Sequence, residues 1–143
     1  MEIKKLSELA SIERAQKDKI YPSGCTLIPL SAASHKLIRY LEEAEKVDSR
    51  YAVAIPKGQV IPKFLHIIIK MAAPRFFHTY QTGMNLQIDI LLEYYRVKYI
   101  PDVNKQREIA QAVLLVEQQE RLELQEIERL KALKKRHMKM MFP

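Results

Sequence analysis

The sequence predicts an α+β fold, with a small, mixed, β-rich domain over residues 1–101 and one long C-terminal helix over 102–143. Three observations predict it. Short runs rich in β-branched and aromatic residues alternate with Pro and Gly through the first hundred positions, as in "YPSGCTLIPLSA" and "RYAVAIPKG". From Val103 to Phe142 there is neither proline nor glycine, the longest such interval in the chain. At 143 residues and 48% hydrophobic composition, the chain can bury about one modest core.

Ile3, Leu6, Leu9 and Ala10 recur at helical spacing and predict a short helix at the start. Pro22-Ser23-Gly24 then reads as a turn feeding a strand from Cys25 to Leu30. In "HKLIRYLEEAEKV" Leu37, Ile38, Leu41 and Ala44 fit a helix, but so short a piece leaves a β reading open. "RYAVAIP" is a strand with Tyr51, Val53 and Ile55 on one face, closed by a Lys57-Gly58 turn. Pro62 suits a first helical turn, and Leu65, Ile68, Ile69 and Ala72 form an apolar stripe that Pro74 is expected to end. "RFFHTY" then reads as a strand and "QTG" as a turn, while "NLQIDILLEYY" is amphipathic without a clear period. "RVKYI" is a strand that stops at Pro101, because a residue before proline is pushed out of the α region. Asp102 or Asn104 can cap the helix that follows.

On that helix, Ile109, Val113 and Val116 share a face to which Ile127, Leu130, Met138 and Met141 return. Glu120 and Glu123 interrupt the same stripe. A domain of about a hundred residues cannot cover a rod of roughly 57 Å, so the distal half is expected to pair with another helix. Two readings of the glutamates stand side by side. They form a polar layer that fixes register, or they mark where the helix meets water.

Charge is distributed unevenly. The net charge is +7, and between Ser49 and Ile88 there is no Asp or Glu while Arg50, Lys57, Lys63, Lys70 and Arg75 all fall there. That window is either a solvated basic face or a surface for a polyanion, where Lys and Arg release condensed counterions. A second acid-free run, Arg129 to Met141, also fits the preference of cations for a helix C-terminus. The single cysteine, Cys25, excludes an internal disulfide and a cysteine-based metal site, and reads as a buried thiol in its strand. The first residues alternate charge without an apolar stretch, and the apolar run near Phe64 is short, so a soluble cytoplasmic protein is expected.

Catalytic material is poor. Gly24, Gly58 and Gly83 are too few and too scattered for a phosphate-cradling glycine loop, and His35, His66, His78 and His137 lack metal-ligand spacing. A binding protein without enzymatic activity, metal or cofactor is expected. Arg75 to Gln87 combines a cation, aromatics and amides, the side-chain types that read base edges, with Lys holding phosphates. The candidate DNA contacts are Lys57, Lys63, Lys70 and Arg75, then His78, Tyr80, Gln81 and Thr82, then Asn85 and Gln87.

"TGMNLQ…LL…RVKYIPDVNKQREIA" (Thr82 to Ala110) with "IERLKALKKRHMKMMF" (Ile127 to Phe142) resembles the repeat of type I restriction–modification specificity subunits. The match rests on Pro101, on Gln106, Ile109 and Ala110 at the helix start, and on Leu133, Lys134, Lys135, Met141 and Phe142 at its tail. The resemblance implies a target recognition domain over 1–101 that reads half of a split DNA site. It further implies a 102–143 spacer helix that pairs as an antiparallel coiled coil, and docking onto a methyltransferase subunit. With one recognition-like segment and one helix, the chain looks like a half-subunit, expected to pair as a homodimer through the helix. The competing expectation is a truncated, specificity-like protein that binds the methyltransferase or a full specificity subunit without touching DNA.

Overall fold

In the computed structural model, which describes residues 1–31, 35–80 and 85–141, the elements run in the order β1 (Glu2–Lys5), α1 (Leu6–Leu9), β2 (Ala10–Arg14), β3 (Ile20–Tyr21) and β4 (Thr26–Pro29). A 3₁₀ turn (His35–Leu37) leads to β5 (Arg39–Tyr40), β6 (Glu45–Lys46) and β7 (Tyr51–Pro56). Then come α2 (Pro62–Tyr80), α3 (Ile88–Tyr94), β8 (Arg96–Tyr99) and α4 (Val103–Met141). The fold is α+β with small antiparallel sheets and a long C-terminal helix. Two compact units divide it, Met1–Arg107 and Glu108–Pro143.

The first unit is organised by an antiparallel sheet in the order β2-β7-β4-β5, with β1-β8 and β3-β6 as two-stranded ribbons. β7 is central, and both its faces are covered in the middle, where Ala52, Val53 and Ala54 are fully buried. Tyr21, Cys25, Leu27, Leu41, Val47 and Val53 form one core cluster, with Tyr51 and Ile55 packed against it. Cys25 lies just ahead of β4, and burial pushes its thiol above the ordinary range. Gly24 sits at φ 93°, a region that favours glycine, and an added Cβ there would meet Pro62 at 3.3 Å. Its N–H donates to the Leu41 carbonyl at 2.8 Å, so the turn also ties β4 to the chain leaving β5.

Two expectations are corrected and one open alternative is settled. The chain starts as a strand: Ile3 is 71% exposed in β1, and only the single turn α1 is helical, with Leu6 and Leu9 buried. The partner of β1 is β8, with Glu2 opposite Tyr99 across the whole length of the domain, a pairing local periodicity does not report. "HKLIRYLEEAEKV" resolves to the 3₁₀ turn and two two-residue strands, each paired to an earlier strand rather than helical. Most consequentially, Pro74 lies inside α2 and "RFFHTY" is its last turns, not a strand.

Pro74 is tolerated because it is exposed. It removes one backbone donor to the Lys70 carbonyl, and on the solvent side water can take that bond. The opposite face supplies the stabilisation. Phe64, Leu65, Ile68, Ile69, Ala73, Phe76 and Phe77 are all buried there. The Phe76 and Tyr95 rings sit 4.5 Å apart, and the Tyr95 hydroxyl donates to the Ile69 carbonyl at 2.5 Å. Burial raises the Tyr95 hydroxyl's pKa.

The junction after β8 forms as expected at Pro101, with Asp102 rather than Asn104 as the cap. Asp102 Oδ1 accepts the Asn104 N–H at 2.9 Å and the Lys105 N–H at 3.4 Å. Gln106 is fully buried and its amide is used at both ends. Nε2 donates to the Ile100 carbonyl at 2.7 Å, and Oε1 accepts the Ile61 N–H at 3.0 Å. One side chain thereby joins the start of α4, the end of the β8 segment and the residue before α2.

The second unit, Glu108–Pro143, is a helical run whose described residues all belong to α4. Ile109, Ala110 and Val113 are half-buried and every described residue beyond Val113 is exposed. Local pairs support the exposed helix. Arg129 donates to both Glu126 oxygens at 2.7 and 3.1 Å, and Gln119 donates to Glu123 at 3.4 Å. Among the described residues no helix is long and apolar enough to cross a membrane.

Candidate nucleic-acid interface

The acid-free window folds into β7, the turn at Lys57 and the whole of α2. Five of the ten candidate DNA-binding residues therefore lie on one helix: Tyr80 as its last residue, and Lys63, Lys70, Arg75 and His78 along its length. At 100° per residue these four fall within an arc of roughly 140° that also holds Met71 and Pro74, with most of the buried stripe on the other side of the helix. Lys70, Arg75 and His78 are exposed, as is Met71 between them, which is 71% exposed. Sequence reasoning did not place Arg75 and His78 on this face because it ended the helix at Pro74. Carrying the 3.6-residue period through that proline is the signal that finds this face.

Not all the cations are equally available. Lys63 is ion-paired to Glu42 at 2.9 Å and lies over the Tyr40 ring at 4.2 Å. Arg50 is paired to Asp48 at 3.2 Å, which raises the guanidinium pKa, while the Arg50 backbone N–H at 2.9 Å and then that guanidinium lower the pKa of the carboxyl. For Lys57, Lys70 and Arg75 there is no side-chain hydrogen bond or ion pair among the described residues. The charge that α2 and its preceding turn leave without a counterion is concentrated in those three. This is the arrangement a phosphate backbone neutralises most favourably, since each phosphate engaged frees a condensed counterion and no internal pair must be broken.

The other candidates divide. Tyr80 stacks on Tyr94 at 5.1 Å and 15° and also touches Phe76, so its ring is already used in packing. Asn85 forms an isolated antiparallel bridge with Ser31, beside the bond from the Leu86 N–H to the Leu30 carbonyl at 2.7 Å. Gln87 is the residue before α3, exposed, with no side-chain capping bond. Gln81 and Thr82 lie outside the described residues.

His66 was not a candidate, and its environment explains why it is not a free cation. Its Nδ1 lies 3.3 Å from Thr26 Oγ1, and its ring is 5.4 Å from that of Tyr40. Burial, with Lys70 and Lys63 nearby, lowers its pKa to about 4, against a smaller opposing effect of Glu42. It is neutral at pH 7 and holds the α2 inner face to β4.

In the second unit, Ile109 and Val113 are half-buried, and Val116, Glu120, Glu123, Ile127, Leu130, Met138 and Met141 are exposed along the predicted stripe. A shallow recess there is lined by Lys131, Lys134, Lys135, Met138 and Lys139, side chains of the helix itself. Among the described residues no cluster of His, Cys, Asp and Glu could hold a metal.

Neither a protein-family model nor a curated protein matches the chain by sequence. By structure it is similar to the type I restriction–modification system S subunit from M. genitalium, with a TM-score of 0.65 and 14% identity. The match covers 82% of this chain and 39% of that one, so the chain spans well under half the length of the solved subunit. The likeness is one of fold.

Proposed function

We propose that this chain is a half-sized DNA-specificity module of a type I restriction–modification complex, without catalytic activity of its own. The observation that carries the reading is the fold match to an S subunit over four-fifths of the chain. The 1–101 segment acts as the target recognition domain. The turn at Lys57 and the outer face of α2 hold the phosphate backbone through Lys57, Lys70 and Arg75. His78, Asn85 and Gln87, with Gln81 and Thr82, supply candidate base contacts. The 102–143 helix is the spacer, and two copies pair through it to present two heads to the halves of a split site. A methyltransferase subunit is the protein partner.

Titration of DNA binding against salt tests the reading. The wild-type chain binds duplex DNA with an affinity that falls steeply as salt rises. Replacing Lys57, Lys70 and Arg75 together by Ala lowers the slope of log affinity against log salt by up to about three, since each of these cations neutralises one phosphate. Lys63→Ala changes it less, because Glu42 already offsets that charge. No salt-sensitive binding by the wild type overturns the reading. The exposed apolar residues of α4 favour one alternative, a module that binds only protein partners through its helix. Retained methyltransferase binding with no DNA binding is its signature.

A further inference from the structure

One seam along α4, which takes Lys134 and His137 in place of the neighbouring Met138 of the predicted stripe, keeps a strict alternation of three- and four-residue steps over Val116, Glu120, Glu123, Ile127, Leu130, Lys134, His137 and Met141. Two acidic positions precede the apolar centre and two basic or imidazole positions follow it. The set is symmetric about the point midway between Glu128 and Arg129. Its apolar members are unpartnered: Val116 is 57% exposed, Ile127 46%, Leu130 53% and Met141 70%.

From this symmetry we infer that α4 is completed by α4 of a second copy, antiparallel, in a single register with the two-fold axis between Glu128 and Arg129. The inference rests on the helix-mediated pairing proposed above and adds what selects its geometry. In that register Ile127 faces Leu130 of the second copy, Glu123 faces Lys134, Glu120 faces His137 and Val116 faces Met141. All eight layers are then matched, four apolar and four with a carboxylate opposite a Lys ammonium or an imidazole N–H. The seam runs from residue 116 to 141, roughly 38 Å of helix.

Every neighbouring arrangement fails on charge. Sliding one copy by a heptad toward its N-terminus sets Glu120 on Leu130, Glu123 on Ile127 and Lys134 on Val116. A heptad the other way sets Glu123 on Met141, Ile127 on His137 and Leu130 on Lys134. Two heptads set Glu120 on Glu123. A parallel in-register pair places Glu120, Glu123 and Lys134 each on its own copy. Charges left facing apolar groups or like charges in a closed seam are costly, whereas opposed pairs specify register and partner. The glutamates that look like an interruption of the stripe are the elements that encode the pairing.

Charge-swapped variants of the full chain test this, with self-association measured by sedimentation equilibrium. Glu123→Lys and Lys134→Glu each weaken self-association by at least about tenfold, by putting like charges in two symmetric layers. The double variant Glu123→Lys/Lys134→Glu restores it. A parallel pair does not regain affinity on the double swap, since like charges then still face each other. Register is read by cross-linking copies carrying Ile127→Cys with copies carrying Leu130→Cys, Cys25 being fully buried. Preferential cross-linking of Ile127→Cys to Glu123→Cys copies marks the one-heptad slip and overturns the register. Dimers indifferent to the swaps overturn the charge pairing while leaving the dimer intact. A wild-type chain that stays monomeric at high micromolar concentration overturns both the pairing and the dimeric part of the proposed function.

Discussion

α2 and α4 are both longer than the usual helix, yet they are held by opposite means. α2 buries seven hydrophobic side chains along its 19 residues and survives an internal proline. α4, at 39 residues, buries only Gln106 among its described positions and contains no helix breaker at all. Tertiary packing can override a poor local sequence, because a row of buried aromatics outweighs one lost backbone bond. A helix without that packing must be nearly perfect locally, with strong formers and i,i+3 or i,i+4 pairs such as Glu126–Arg129. The contrast separates a helix whose stability comes from its own domain from one whose apolar residues are left exposed.

Breaking the comparison starts with the packing side. Phe76→Ala removes the ring that meets Phe77, Tyr80 and Tyr95, and costs about 3–5 kcal/mol by chemical denaturation. The loss is greater than at an average site because α2 then keeps its proline without its anchor. Gln106→Ala comes next. It leaves the Ile61 N–H and the Ile100 carbonyl without their partner and costs about 2–4 kcal/mol.

A pH effect follows in size. His66 has a folded pKa of about 4 against an ordinary 6.5, so the unfolded chain binds more protons between those values. Stability is therefore full above pH 6.5 and falls as pH drops toward 4, by at most about 3 kcal/mol. The melting temperature of a His66→Gln variant varies less than that of the wild type across this window. The smallest effect sharpens the other side of the comparison. Ile127→Ser or Leu130→Ser changes the stability of the first unit by no more than about 0.5 kcal/mol, while weakening self-association. A large loss of first-unit stability in either variant contradicts the division of roles.

Legibility in the sequence followed the same line. α4 was readable because local propensity alone dictates it: no glycine, no proline, and a regular stripe. The strand at Tyr51–Pro56, the turn at Gly24 and the stop at Pro101 were readable for the same reason. Elements fixed by distant partners were not. β1 depends on β8, more than ninety positions away, and its own residues have helical spacing. β5 and β6 are two residues each and carry no period. Arg75–Tyr80 was misread because proline was given its usual weight, and the aromatics that outvote it act through Tyr95 and Tyr94 on other elements. For the candidate interface, the acid-free window picked out the stretch that folds into β7 and α2. Which cations are free was not legible, because Glu42 reaches Lys63 only after β5 and α2 are assembled. Gln106 stood out by resemblance, but its two-ended hydrogen bonding required Ile61 and Ile100 to be brought together.

The central claim, a half-sized reading module that works as a symmetric pair, is tested most directly by selecting bound sequences from a random duplex library with the full-length chain. The account predicts enrichment of a split motif whose two halves are related by two-fold symmetry and separated by a constant spacer. Enrichment of a single unsplit motif, or no enrichment at low salt, contradicts it.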